Sequence, residues 1–159
     1  MTKSLLRVLT VSVALATAHA AYAEQQCKPV VGSFEAHVVT ANCASPILCT
    51  AGRVWGGIQG SYAFAMNSAL PTAEAADVPS ILFFTGRSTV SLKTGDQVFG
   101  IDTGAIDLPP GQGGFASLIT FKGGTGEAQN VTGQIRLRGE FDPQQGTTSG
   151  DYFGTLCTP

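Results

Sequence analysis

The segment that most constrains this chain is Gly123-Gly124-Thr125-Gly126-Glu127-Ala128-Gln129-Asn130-Val131-Thr132-Gly133-Gln134-Ile135-Arg136-Leu137-Arg138-Gly139-Glu140-Phe141-Asp142. It reads as a glycine hinge, a short irregular approach, and a strand whose Ile135 and Leu137 alternate with Arg136 and Arg138. Side chains alternate faces along a strand, so this pattern gives one buried and one solvated face. Arg136 and Arg138 belong on the solvated one.

The rest of the chain repeats that grammar. Strand periodicity covers Val30–Val39, with Phe34, Ala36 and Val38 set against Ser33, Glu35 and His37. A long glycine-marked strand follows over Thr50–Asn67, with Val54, Ile58, Tyr62, Phe64 and Met66 on one parity. The segment from Ser68 to Pro79 reads as a surface loop with a helical turn at Thr72–Ala76. Ser80–Lys93 and Gln97–Leu108 flank Thr94-Gly95-Asp96 as a hairpin, and further strands are expected over Phe115–Phe121 and Thr148–Cys157. With about seven or eight strands and no sustained helical period, the chain is an all-β domain. Its 20 glycines favour bends and closure, so a single antiparallel barrel of about eight strands is expected over a two-sheet sandwich.

Residues 1–23 are set apart as a signal peptide: Lys3 and Arg7 precede an apolar run from Val8 to Ala16, and Ala21-Tyr22-Ala23 fits a small-x-small cleavage site. That leaves 24–159 as one β-barrel domain, secreted or periplasmic. The chain has 11 acidic and 9 basic residues, and two of the basic ones lie in the signal. An acidic balance without clustered Lys and Arg argues against a nucleic-acid partner or, after signal cleavage, a membrane.

Cys27, Cys43, Cys49 and Cys157 all lie in the exported portion and read as two disulfides, for which three pairings exist. Cys43 with Cys49 across a short loop, and Cys27 with Cys157 joining the first and last strands, is the pairing favoured by an antiparallel arrangement of those strands. Zinc binding by the four cysteines is the alternative. It lacks a CxxC pair and a helpful histidine, so neither a metal nor another cofactor is expected.

Chemistry-bearing residues are sparse. No nucleophile elbow is present, and His37 is the one histidine of the mature chain, so a triad hydrolase is disfavoured. Gly111-Gln112-Gly113-Gly114 and Gly123-Gly124-Thr125-Gly126 lack the Lys and helix of a phosphate loop and read as turns. Glu35, Arg53, Arg87 and Asp102 fall inside predicted strands. An inward charge is costly unless paired, so inward members would mark a cavity, whereas outward ones are solvated wall residues. Tyr62, and Trp55 if a bulge at Gly56-Gly57 turns it inward, would line the same cavity or simply pack in the core.

The Gly123-Gly124-Thr125-Gly126 segment, with Asn130-Val131-Thr132-Gly133 and Gly139-Glu140-Phe141 behind it, resembles the allene oxide cyclase and dirigent barrels. Gly56-Gly57-Ile58-Gln59-Gly60-Ser61-Tyr62 and the closing Gly150-Asp151-Tyr152-Phe153-Gly154-Thr155-Leu156-Cys157 add to the likeness. The chain departs from the family where Ala128 or Gln129 stands in place of a usual aromatic. The resemblance implies an eight-stranded barrel with an apolar or mixed interior and, by analogy, a homo-oligomer. Two functions are then expected: a non-catalytic barrel that binds a small hydrophobic ligand or serves as a structural envelope module, or a cofactor-free isomerase, cyclase or coupling-directing protein. A void of a few hundred Å³ with paired charges would favour catalysis, and an interior filled by side chains would remove both ligand readings.

Overall fold

The structure, a computed structural model, describes residues 25–71 and 80–158. The expected signal peptide at 1–23 and the helical turn at 72–76 lie outside the described residues.

Eight strands run up and down: β1 (Gln26–Val38), β2 (Cys49–Gly56), β3 (Gly60–Pro71), β4 (Ile81–Leu92), β5 (Gln97–Asp107), β6 (Gly114–Gly124), β7 (Thr132–Asp142) and β8 (Thr147–Thr158). Each pairs antiparallel with the next, and β8 returns to β1, so the sheet closes into a barrel with no free edge. The long strand expected over Thr50–Asn67 is two strands. Gly57-Ile58-Gln59 turns the chain between β2 and β3, and Gly56 at φ 105° supplies a backbone conformation that other residues resist.

Period-2 alternation decides what points inward. Val30, Phe34 and Ala36 of β1, Tyr62, Phe64 and Met66 of β3, Ile119 and Phe121 of β6, Ile135 and Leu137 of β7, and Tyr152 of β8 form one buried core. Arg136 and Arg138 stand on the outside, as their parity requires. A bulge in the β3–β4 pairing between Met66 and Ser68 shifts the inward parity of β3, so that Ala69 packs against the core.

The two ends differ. At the end where β1 begins, Gly126–Ala128 form a short 3₁₀ turn, and Ala128 and Val131 are buried across the barrel mouth. The glycine hinge thus builds a lid for this end: the amide of Thr125 donates to the carbonyl of Gln97 at 2.8 Å, and the Gln97 amide donates back to Thr125 Oγ1 at 2.9 Å. Beneath it, Tyr152 accepts a hydrogen bond from the Ile58 amide at 2.7 Å and donates to the Trp55 carbonyl at 3.1 Å. Gly32 makes room for that ring, because a Cβ there would lie 2.5 Å from the Tyr152 hydroxyl and 2.0 Å from the Trp55 carbonyl. This is the closed end, indented by an apolar groove of about 220 Å³ lined by Ile58, Val90, Val98, Phe121, Val131 and Leu156.

The disulfides are Cys27–Cys157 and Cys43–Cys49. Cys27 and Cys157 face each other in the β1–β8 register, so the staple joins the first strand to the last at the closed end. All four sulfurs are consumed, which removes the zinc alternative. Cys43–Cys49 folds the β1–β2 loop over the opposite end, where Ser45 Oγ donates to the Met66 carbonyl and the Met66 amide donates to the Leu48 carbonyl at 2.9 Å.

Candidate functional site

That opposite end is open. A cavity of about 50 Å³ enters there, walled by Leu48, Phe64, Phe84, Ile106, Phe115 and Phe141, with Tyr62, Asp102 and Ser117 deepest in it. Strand register puts these residues together: Tyr62 on β3, Ser88 on β4, Asp102 on β5 and Ser117 on β6 are inward positions of four consecutive strands. Gly86 on β4 leaves room for the wall, since a Cβ there would sit 2.3 Å from the Phe64 ring. Phe64 meets Phe84 edge-on at 5.5 Å, and Phe34 meets Phe115 edge-on at 5.8 Å.

Asp102 is 2% exposed and is the one charged side chain buried among the described residues. Ser88 Oγ donates to its Oδ2 at 3.0 Å, and the Tyr62 hydroxyl lies 3.1 Å from the same Ser88 oxygen. A serine hydroxyl has one proton to give. With that proton on the carboxylate, the tyrosine is the donor to Ser88, which fixes a Tyr62 → Ser88 → Asp102 chain. Asp102 Oδ1 has no hydrogen-bond partner. A buried acceptor left unpaired costs about 1–3 kcal/mol, more when charged.

Burial pushes the Asp102 carboxyl up to about 6, with the Ser88 and Ser117 hydroxyls pulling the other way by favouring the ionised form. Burial also pushes the Tyr62 hydroxyl well above its ordinary range, helped by the neighbouring Asp102 charge, so Tyr62 stays a proton donor at any physiological pH. The arrangement can therefore accept a hydrogen bond from a guest and exchange a proton near neutral pH.

Two of the six sequence-derived cavity candidates, Tyr62 and Asp102, reach this site. The other four do not. Glu35, Arg53, Trp55 and Arg87 occupy the opposite parity and face solvent on the outer wall, Trp55 being 44% exposed. Glu35 and Arg53 are direct partners in the β1–β2 register, where opposite charges sit well on a solvated face. With Trp55, Gln59 and Lys93 they border an outer trough of about 780 Å³, larger than the internal cavity but lined mostly by exposed and half-exposed residues. The expected bulge does not turn Trp55 inward; Val54, Ile58 and Tyr62 are buried on one parity across the Gly57–Gln59 turn, and Trp55 stays on the other.

Ser88 and Ser117 were not singled out by sequence, since serines in strands are too common to signal anything alone. The signal that could have found them is on β5, where Gly100, Asp102 and Gly104 share a parity with Val98 and Ile106. Small residues flanking one acid between two aliphatics mark a crowded inward face.

The fold and site define an eight-stranded antiparallel barrel with one plugged end and one open end floored by an acid. No family model matches the chain, and no curated protein matches it. Among solved structures the chain is similar to that of a pterocarpan synthase dirigent protein, at 12% identity and a TM-score of 0.36, over 86% of this chain and 87% of that one. Among the described residues, no helix is long and apolar enough to cross a membrane.

Proposed function

We propose that this is an exported ligand-binding barrel whose open end takes a small, mainly apolar molecule carrying one polar group. The observation that supports it is the unpartnered Oδ1 of Asp102 at the base of a phenylalanine-walled pocket. Apolar walls with a few convergent polar atoms are the usual composition of a small-molecule site. At about 50 Å³ the pocket is well below the few hundred Å³ that would house a large substrate, so it receives one end of a ligand. Export fits the two disulfides, which persist in oxidising compartments. Native mass spectrometry of the protein taken from its host's exported fraction tests this. A retained small molecule, lost in a Leu137→Trp variant that fills the pocket, is the expected result; equal retention by the variant removes the proposal.

A second reading is favoured by the Tyr62 → Ser88 → Asp102 chain. A carboxyl held up to about 6 is suited to general acid–base catalysis near neutral pH, as a cofactor-free isomerase would require. Asp102→Asn would then abolish turnover of a bound ligand by at least about 100-fold while the ligand still binds.

A further inference from the structure

The open-end pocket has a feature that its apolar walls do not account for. Asp102 carries a charge into the barrel, and among the described residues nothing of opposite sign is buried to meet it. Arg53, Arg87, Lys122, Arg136 and Arg138 are exposed on outward positions of their strands, and Lys28 and Lys93 are exposed at the other end of the barrel. The groups that do face the carboxyl are hydroxyls: Ser88, Ser117 and, through Ser88, Tyr62. Hydroxyl donors soften the cost of burial but do not neutralise the charge, and a buried ion without a counter-ion is the expensive case.

The walls above the carboxyl narrow the choice of guest. Phe64, Phe84, Phe115 and Phe141 bring four phenyl rings to one small opening. Ring faces carry partial negative charge and attract cations, most strongly where water is excluded. An acid at the base and aromatic rings around it are complementary to a positively charged head on a hydrocarbon body. A carboxylate or phosphate would be repelled by the same groups. A neutral alcohol would satisfy Oδ1 but leave the charge unmatched.

Size agrees with a head group. One water needs about 10–15 Å³ of such space, and the pocket offers about 50 Å³, room for an ammonium and the first few carbons. The remainder of the guest would lie in the mouth between Leu48 and Phe141.

Resting on the ligand-binding reading above, we propose that the open end is a site for a small organic ammonium ion, whose N–H donates to Asp102 Oδ1 between the four phenyl rings. The ion supplies both the missing hydrogen-bond donor and the missing positive charge.

The test is a methyl NMR titration of the mature, disulfide-intact protein with three probes of one shape: n-butylammonium, 1-butanol and butyrate. The pH is held at about 7.5, above the range in which Asp102 protonates. Methyl groups of Leu48, Ile106 and Leu137 report the pocket, and those of Val30 and Ile119 report the buried wall outside it. Expected are shifts confined to the pocket methyls, an affinity for butylammonium at least about tenfold above that for butanol, and none for butyrate. In the isosteric Asp102→Asn protein the ammonium and the alcohol should bind within about twofold of each other. Butanol binding as tightly as butylammonium in the unaltered protein, or a preference for the ammonium that survives Asp102→Asn, overturns the cation assignment and leaves the pocket reading intact. Absence of any pocket shift with all three probes, at concentrations on the order of 100 mM, overturns both. The comparison of probes in the unaltered protein stands even if the variant fails to fold.

Discussion

Tyr152 near the closed end and Tyr62 on the open-end side are both buried tyrosines on the inner wall of the same barrel, yet their hydroxyls have different company. Tyr152 meets backbone: it accepts from the Ile58 amide and donates to the Trp55 carbonyl, so its hydroxyl is matched both as acceptor and as donor. Tyr62 meets side chains that lead to a carboxyl with one oxygen unmatched. Matched buried polar groups hold a fold in one arrangement. An unmatched one is retained at a cost to stability, and so points to a guest. The closed end is built for stability, and the open end is the one the proposed ligand would enter.

The contrast can be broken most severely through the two disulfides, one at each end. Cys27–Cys157 has a sequence separation of 130 and Cys43–Cys49 one of 6. Loop-closure entropy then assigns about 5 kcal/mol to the first and about 2 kcal/mol to the second. Denaturant unfolding of the paired Cys→Ser variants should reproduce that order, and equal midpoints would show that the closed end is not the stabilising one.

Next in size is the pH response of Asp102. Its folded-state pKa of about 6 lies above the ordinary 3.8. The carboxyl's contribution to stability is therefore fully present below pH 3.8 and is lost as pH rises through 6. The loss amounts to about 3 kcal/mol. Asp102→Asn removes this response, so its stability relative to the parent should improve by about that amount between pH 3.5 and pH 7. A difference that stays flat across the range would mean the carboxyl is not desolvated.

The tyrosines give the smallest and sharpest comparison. Tyr152→Phe strands the Ile58 amide in the interior and should cost about 1–3 kcal/mol. Tyr62→Phe strands no amide, because Ser88 keeps its bond to Asp102, and should cost about 1 kcal/mol or less. Thermal melts that reversed this order would undo the division between the two ends.

Much of the barrel could be read from the chain because alternation is a local signal. Ile135 and Leu137 against Arg136 and Arg138 declare their faces, and so do Phe34 and Ala36 against Glu35 and His37. The β2–β3 turn was hidden because Val54, Ile58 and Tyr62 keep one parity straight across it, so two short strands imitate a long one. The site was hidden for a different reason. In the middle of β5 the outward parity carries Phe99 and Ile101, whereas the inward parity carries Gly100, Asp102 and Gly104, with Val98 and Ile106 only towards its ends. Judged by those central residues alone, that strand faces the wrong way. Only closure of the sheet, which depends on all eight strands together, sets Asp102 inside.

The facing positions of Cys27 and Cys157 have one more consequence. Every strand is joined to its neighbour by a local connection, and the sulfur bridge joins the last to the first, so the covalent structure runs once around the barrel as a ring. A single protease cut at an exposed turn such as Thr94-Gly95 would leave one molecule with all its strands still tethered, and a gene rearranged to begin at that turn, with the old ends linked, should encode the same barrel.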